Sequence, residues 1–288
     1  MRHYCPRIAK RLLLAVAVLF LLNGCATKIA YHYLDFALIW TLEKYVELDK
    51  PQKKKLKEEM EAFHQWHRTT QLPLYSSYMA DFKSRYQQAP LTGNQMHAEV
   101  DQLQVYLDAC IEHLMPSLVD LAASLSDEQV EELLANIAED RADYRKKYID
   151  VSTEELHAAR VKELESNLNL VIRRFNKEQE AAMLDWSQGL VPYEKLTLAQ
   201  QEIWGKELAE VLVQRDNREI LETGLRKLIF VHTDHWDPEL EKIVDENQEK
   251  SYSFLADLLN GLEGKQRARF IARVERFSED FHEMSGAD

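Results

Sequence analysis

The stretch Glu61-Ala62-Phe63-His64-Gln65-Trp66-His67-Arg68 holds the densest chemistry in the chain. His64 and His67 are three residues apart, which makes them neighbours on one helix face, and Glu61 extends that face. A second pair, His232 and His235, repeats the spacing beside Trp236. Brought together, the two pairs would offer four imidazoles to Zn²⁺ or Cu²⁺, metals that imidazole nitrogen suits. The Glu-x-x-His spacing of helical di-iron sites occurs at Glu61/His64, Glu154/His157 and Glu279/His282. In a chain with 49 acidic residues and ten histidines such coincidences are expected. Glu154 also stands where a first helical turn favours a carboxylate. Packing is the competing account of His67. Leu56, Met60 and Phe63 form an apolar seam, and His67 takes its next position. A histidine there sits at the core edge with one ring nitrogen hydrogen-bonded, here to an acidic residue of a facing helix. Trp66 and Arg68 would flank it, giving a packed anchor or a patch that binds a partner. The expectation is therefore no cofactor, with Zn or Cu as the alternative.

The elements that must position these side chains are helices. Val130, Leu133, Leu134, Ile137, Ala138 and Tyr144 form one apolar stripe; Leu164, Leu168, Val171, Ile172, Phe175, Ala182, Trp186 and Leu190 form another. Both repeat every three to four residues, and no long alternating run suggests a strand. Good helix formers dominate these stretches. Ser126 to Gln129, Ser152 to Glu155 and Thr197 to Gln200 read as capping boxes, and Asp237-Pro238 as a cap followed by proline at the first helical position. The pattern predicts an all-α, elongated multi-helix bundle built from helical hairpins. Its helices fall near 30–47, 50–70, 73–87, 93–123, 127–150, 153–189, 198–235, 239–260 and 264–283, with Asp216-Asn217 a candidate interruption and Pro116 a kink rather than an end. A division into regions 25–191 and 192–288 is drawn at Val191-Pro192, with a single domain the alternative.

The first residues give an address. Arg2, Arg7, Lys10 and Arg11 precede an apolar run from Leu12 to Leu22, which is too short to span a bilayer. Basic start, short apolar middle and small-residue break are the parts of a secretory signal peptide. Leu22-Asn23-Gly24-Cys25 resembles a bacterial lipobox, which implies removal of residues 1–24 and acylation of Cys25. Ala26 rather than Asp after the cysteine implies export to the outer membrane, facing the periplasm. Several acyl chains on one cysteine would anchor the chain stably in the membrane. Without residues 1–24, which hold four basic and no acidic residues, the balance is 32 basic to 49 acidic, a net charge of −17. Such a surface repels nucleic acid and anionic lipid, which disfavours both as partners. Cys5 leaves with the signal, so Cys110 remains as a buried apolar residue without a disulfide partner. With eight glycines the chain has no Gly-rich phosphate loop, and G-x-S-x-G, H-E-x-x-H and C-x-x-C are absent. The common enzyme classes those motifs mark are disfavoured. Tyr31 to Trp40, immediately after the anchor, carries aromatics on several helical faces. It predicts a fully buried first helix, with a helix resting on lipid headgroups the alternative.

A larger pattern recurs at helix starts. Leu48-Asp-Lys-Pro-Gln52, Leu91-Thr-Gly-Asn-Gln95, Leu125-Ser-Asp-Glu-Gln129 and Leu196-Thr-Leu-Ala-Gln200 share a leucine and a glutamine four residues on, and Leu262-Glu-Gly-Lys-Gln266 is a degraded copy. Arg68, Arg145 and Arg215 follow three of them about one helix later. The boxes resemble those of the L-T-x-x-Q proteins of the Gram-negative periplasm, the group of the chaperone Spy and the stress adaptor CpxP. That resemblance implies a helical module that binds polypeptide. Leu34-Asp35-Phe36-Ala37-Leu38-Ile39-Trp40, the Leu48–Gln52 box, Trp66-His67-Arg68 and Leu72-Pro73 together resemble a family of uncharacterised Gram-negative outer-membrane lipoproteins, which implies no activity. The function expected is a lipid-anchored, non-enzymatic binding or scaffold module for an envelope protein, with chaperone-like action as one form of it. The alternative is a metal-binding or metal-sensing lipoprotein using His64, His67, His232 and His235.

Overall fold

In a computed structural model, the described residues are 31, 33–169, 171–172, 174–230 and 236–286. The signal segment, Cys25, His232 and His235 lie outside them. Among the described residues the chain is helical with no strand. In chain order the helices are α1 (Leu34–Leu42), α2 (Lys50–Trp66), a π-helical turn (His67–Gln71), α3 (Leu72–Gln88), α4 (Gly93–Ala123), α5 (Asp127–Tyr148), α6 (Thr153–Leu168), α7 (Lys177–Gly189), α8 (Glu194–Val213), α9 (Arg218–Phe230), α10 (Pro238–Asn260) and α11 (Gly264–Ser285).

Helix starts follow local chemistry. Asp49, Thr92, Ser126, Ser152 and Asn176 each accept from the backbone N–H three residues on, while Gln52, Gln95, Gln129, Glu155 and Gln179 reach back. Each box satisfies two donors that a helix start would otherwise leave free. The expected break at Leu72-Pro73 is absent. Proline cannot donate to the carbonyl behind it, and the chain absorbs this by widening one turn: the Leu72 N–H reaches the His67 carbonyl, five residues back. α2, the π turn and α3 therefore run on without a loop. Pro116 lies inside α4, as expected.

Two further expectations about helix bounds fail. Residues 153–189 form two helices, because Asn176 opens a new capping box and Arg174 takes a left-handed conformation (φ 63°). Ile172, 1% exposed, drops into the core between them. Thr197 does not cap: α8 begins at Glu194, and Thr197 and Leu198 are buried in its first turn.

Two sizeable apolar cores hold the bundle. The larger gathers Leu34 and Leu38 of α1, Leu56 and Phe63 of α2, Met115 and Val119 of α4, Ile137 of α5, Leu212 of α8, Leu221 of α9 and Phe277 of α11. The second joins Tyr86, Leu91, Ile172, Tyr252, Leu262 and Phe270. Each includes residues from before and after Val191, so the two expected regions pack through each other.

The box leucines Leu48, Leu91, Leu125 and Leu262 are all buried, pinning the chain before each turn. The glutamines do more than cap. The Gln52 amide donates to the Ser124 carbonyl (2.8 Å) and meets the Gln129 amide (3.0 Å), while Gln129 Nε2 donates to the Glu47 carbonyl (2.7 Å). Two helix starts 77 residues apart are clasped amide to amide. Gln179 and Gln266 form a second clasp at 2.9 Å, and Gln266 Nε2 also donates to the Arg174 carbonyl. Arg215 ties the end of α8 to the Leu125 carbonyl (2.8 Å) and to Asp127.

Candidate functional site

The histidine-rich stretch ends α2 and opens the π turn, a feature that often marks functional positions. α2 and the π turn bring His64 and His67 under Tyr31. The Tyr31 hydroxyl meets His67 Nδ1 at 3.0 Å, and its ring packs edge-on against His64 with centroids 4.4 Å apart. The partner of His67 is thus a phenol from the segment before α1, not the acidic residue expected. His67 is 3% exposed. Burial, reinforced by nearby His64, lowers its pKa to about 4, so the ring is neutral. Burial also pushes the Tyr31 phenol up, against a smaller opposing pull from Arg68. On the far side, Tyr75 of α3 packs edge-on against His67, and its hydroxyl lies 3.4 Å from Cys110 Sγ on α4. Burial raises the Cys110 thiol above its ordinary range, which suits a packed cysteine rather than a reactive thiolate.

The three residues named as a partner patch divide. His67 faces inward. Trp66 is partly exposed and stacks on His113 of α4, rings 3.9 Å apart and 5° from parallel. Arg68 is exposed and donates through Nε to the Met284 carbonyl at 2.9 Å, joining the π turn to the end of α11. Of the proposed metal set, His64 and His67 are together, while His232 and His235 lie outside the described residues. The Nδ1 of His67 is already engaged by Tyr31. Among the described residues no three His, Cys, Asp or Glu side chains are grouped closely enough to hold a metal ion.

A second polar cluster was not among the sequence expectations. Arg160 of α6 and Glu194 of α8, both 6% exposed, form a buried ion pair, with Arg160 Nε donating at 2.9 Å. Arg160 Nη1 donates to the Ser187 carbonyl at 3.0 Å, and His157 Nδ1 lies 3.0 Å from the Ser187 hydroxyl. Serine beside histidine is the start of a nucleophile and base pair, but Ser187 has no exposed surface. The cluster locks α6 and α7 to the start of α8. The sequence clue was slight: an arginine between Ala159 and Val161, and a charged residue directly after Pro192-Tyr193.

No match to this chain was found among curated proteins or among solved structures. A family model covers residues 44–241, from the α1–α2 turn to the start of α10. It takes in the Leu48–Gln52 and Leu125–Gln129 boxes, the histidine-rich π turn and the Arg160–Glu194 lock, and begins after α1. On that match the chain belongs to a family of unknown function, DUF6279.

Proposed function

We propose that the protein is a lipid-anchored outer-membrane lipoprotein facing the periplasm, whose helical body is a non-enzymatic binding or scaffold module for an envelope polypeptide. The observation that carries this reading is the join between Leu22-Asn23-Gly24-Cys25 and a body whose helix starts are clasped box to box. Such clasps favour a rigid frame of exposed charged helix faces. The residues best suited to chemistry, His67, Cys110 and Ser187, are buried and bonded within the fold, which also favours binding over catalysis. The resemblance of the Leu-x-x-x-Gln boxes to polypeptide-binding periplasmic proteins supports the partner class. The exposed surface beside Trp66 and Arg68 is the place to look for it.

Two measurements test the reading. The mass of the N-terminal peptide reports acylated Cys25. A photo-crosslinking side chain at exposed Thr69, compared with one at exposed Glu178 on α7, reports a polypeptide partner at the π turn. An acylated peptide and an envelope adduct specific to residue 69 are expected. An unmodified Cys25 would refute the anchor, and adducts identical from both positions would refute the patch.

A further inference from the structure

The first helix leaves one face uncovered. Leu34 and Leu38 turn into the core, whereas Tyr33, Phe36 and Trp40 are 58%, 66% and 53% exposed. Spacings of three and four residues set these aromatics in a single row along α1. The helix is therefore half buried, not fully buried as its composition suggested.

Positive charge gathers at one end of the row. The Lys44 ammonium lies 3.5 Å from the centroid of the Trp40 ring. From Lys44 to Lys57 the chain carries Lys44, Lys50, Lys53, Lys54, Lys55 and Lys57 against only Glu47 and Asp49, in a protein of net charge −13. α1 and α2 run antiparallel: Tyr31 packs on His64 at one end, and Glu43 pairs with Lys53 at the other. The lysine-rich start of α2 thus lies at the Trp40 end of the row. Among the described residues, no ion pair engages Lys44, Lys50 or Lys57.

We propose that this aromatic row rests on the phospholipid surface to which Cys25 is anchored, with Lys44 and the lysines at the start of α2 meeting headgroup phosphates. The inference rests on the lipid anchor. Cys25 precedes Tyr33 by eight residues, a reach of at most ~28 Å, so the anchor holds the row beside the bilayer. Nine helical residues cannot cross a membrane, but tyrosine and tryptophan settle at headgroup depth and a helix with one apolar face lies in that plane. A short basic segment adds attraction to anionic headgroups, while the acidic remainder is repelled. The protein would thereby be held in one orientation, with α1 and the α1–α2 turn against the lipid.

The test uses the full acylated protein in vesicles of phosphatidylethanolamine with a minor share of phosphatidylglycerol, with and without brominated acyl chains. Flotation with the vesicles reads the anchor. Bromine quenching of tryptophan, compared between the native protein and Trp40→Phe, reads the helix. The expected result is flotation of both proteins and quenching that Trp40→Phe abolishes, Trp40 being one of five tryptophans. Phe36→Asp, which keeps Trp40, should reduce the quenching severalfold with unchanged helical circular dichroism. Flotation with equal quenching in native protein and Trp40→Phe would overturn the proposal while leaving the anchor intact; a second copy or a polypeptide covering the row would give that result. Failure to float would overturn the anchor and this inference together.

Discussion

Lowering the pH should unclasp the His67 site, and the size of the effect follows from its burial. The ring is neutral in the fold, with a pKa of about 4 against an ordinary value of 6.5. The unfolded chain therefore takes up a proton that the folded chain refuses. Stability contributed in this way is present above pH 6.5 and is lost progressively as pH falls toward 4, below which the loss levels off. Linkage with those two values gives a loss of about 2 kcal/mol between pH 7 and pH 5. The ionisable groups nearest the ring are His64, Tyr31, Arg68, Tyr75 and Cys110; the two phenols and the thiol are neutral at these pH values, and burial moves them further from titrating. The assay is urea unfolding at pH 7 and pH 5, comparing native protein with His67→Gln, whose amide oxygen can still accept from the Tyr31 hydroxyl. Groups distant from residue 67 are unchanged by the substitution, so the difference between the two proteins reports His67 together with its coupling to His64. The variant should lose about 2 kcal/mol less than native protein over that interval. An equal loss in both would refute the reasoning, because His67 would then be protonating freely and could not be buried against Tyr31.

Three further outcomes follow from the packing. Gln95 caps only its own helix, whereas Gln52 also donates to Ser124 and faces Gln129; Gln95→Glu should leave the urea midpoint nearly unchanged, while Gln52→Glu, which sets acceptor against acceptor, should cost about 2 kcal/mol. Arg160→Met strands Glu194 in the interior and should cost about 3–5 kcal/mol, most of it recovered in Arg160→Met/Glu194→Leu, as read by thermal unfolding. A β-carbon on Gly224 would stand 2.5 Å from Val211 Cγ2 and 2.8 Å from its Cγ1; despite the better helix propensity of alanine, Gly224→Ala should lower stability by about 1–3 kcal/mol, and Val211→Ala in the same chain should relieve it.

How far the sequence could be read depended on the range of each interaction. A capping box joins residues three apart, so Asp49, Thr92 and Ser126 could be placed from local spacing alone, and they start helices as expected. The same reasoning went astray at Thr197, where the pattern is present but Glu194 starts the helix earlier, its carboxylate paired with Arg160 on α6. Nothing near residue 197 encodes that pairing. The break after Leu168 was hidden for a related reason: Val171, Ile172 and Phe175 continue an apolar period, and burial of Ile172 is served as well by a loop as by a helix. At the histidines, the seam position of His67 correctly implied a packed ring with one bonded nitrogen, but its partner came from Tyr31, 36 residues earlier. The box glutamines carry the argument furthest. Within a box, Oε1 accepts the N-cap N–H and leaves two amide hydrogens without a local acceptor. An exposed box such as Thr92–Gln95 can leave them to water; a buried one must find a carbonyl or another amide. Gln52 is 7% exposed and Gln179 is 7% exposed, and these two belong to the two clasps. Box repetition and box burial together therefore favour helix starts that meet in pairs, a tendency that local spacing implies only once burial is known.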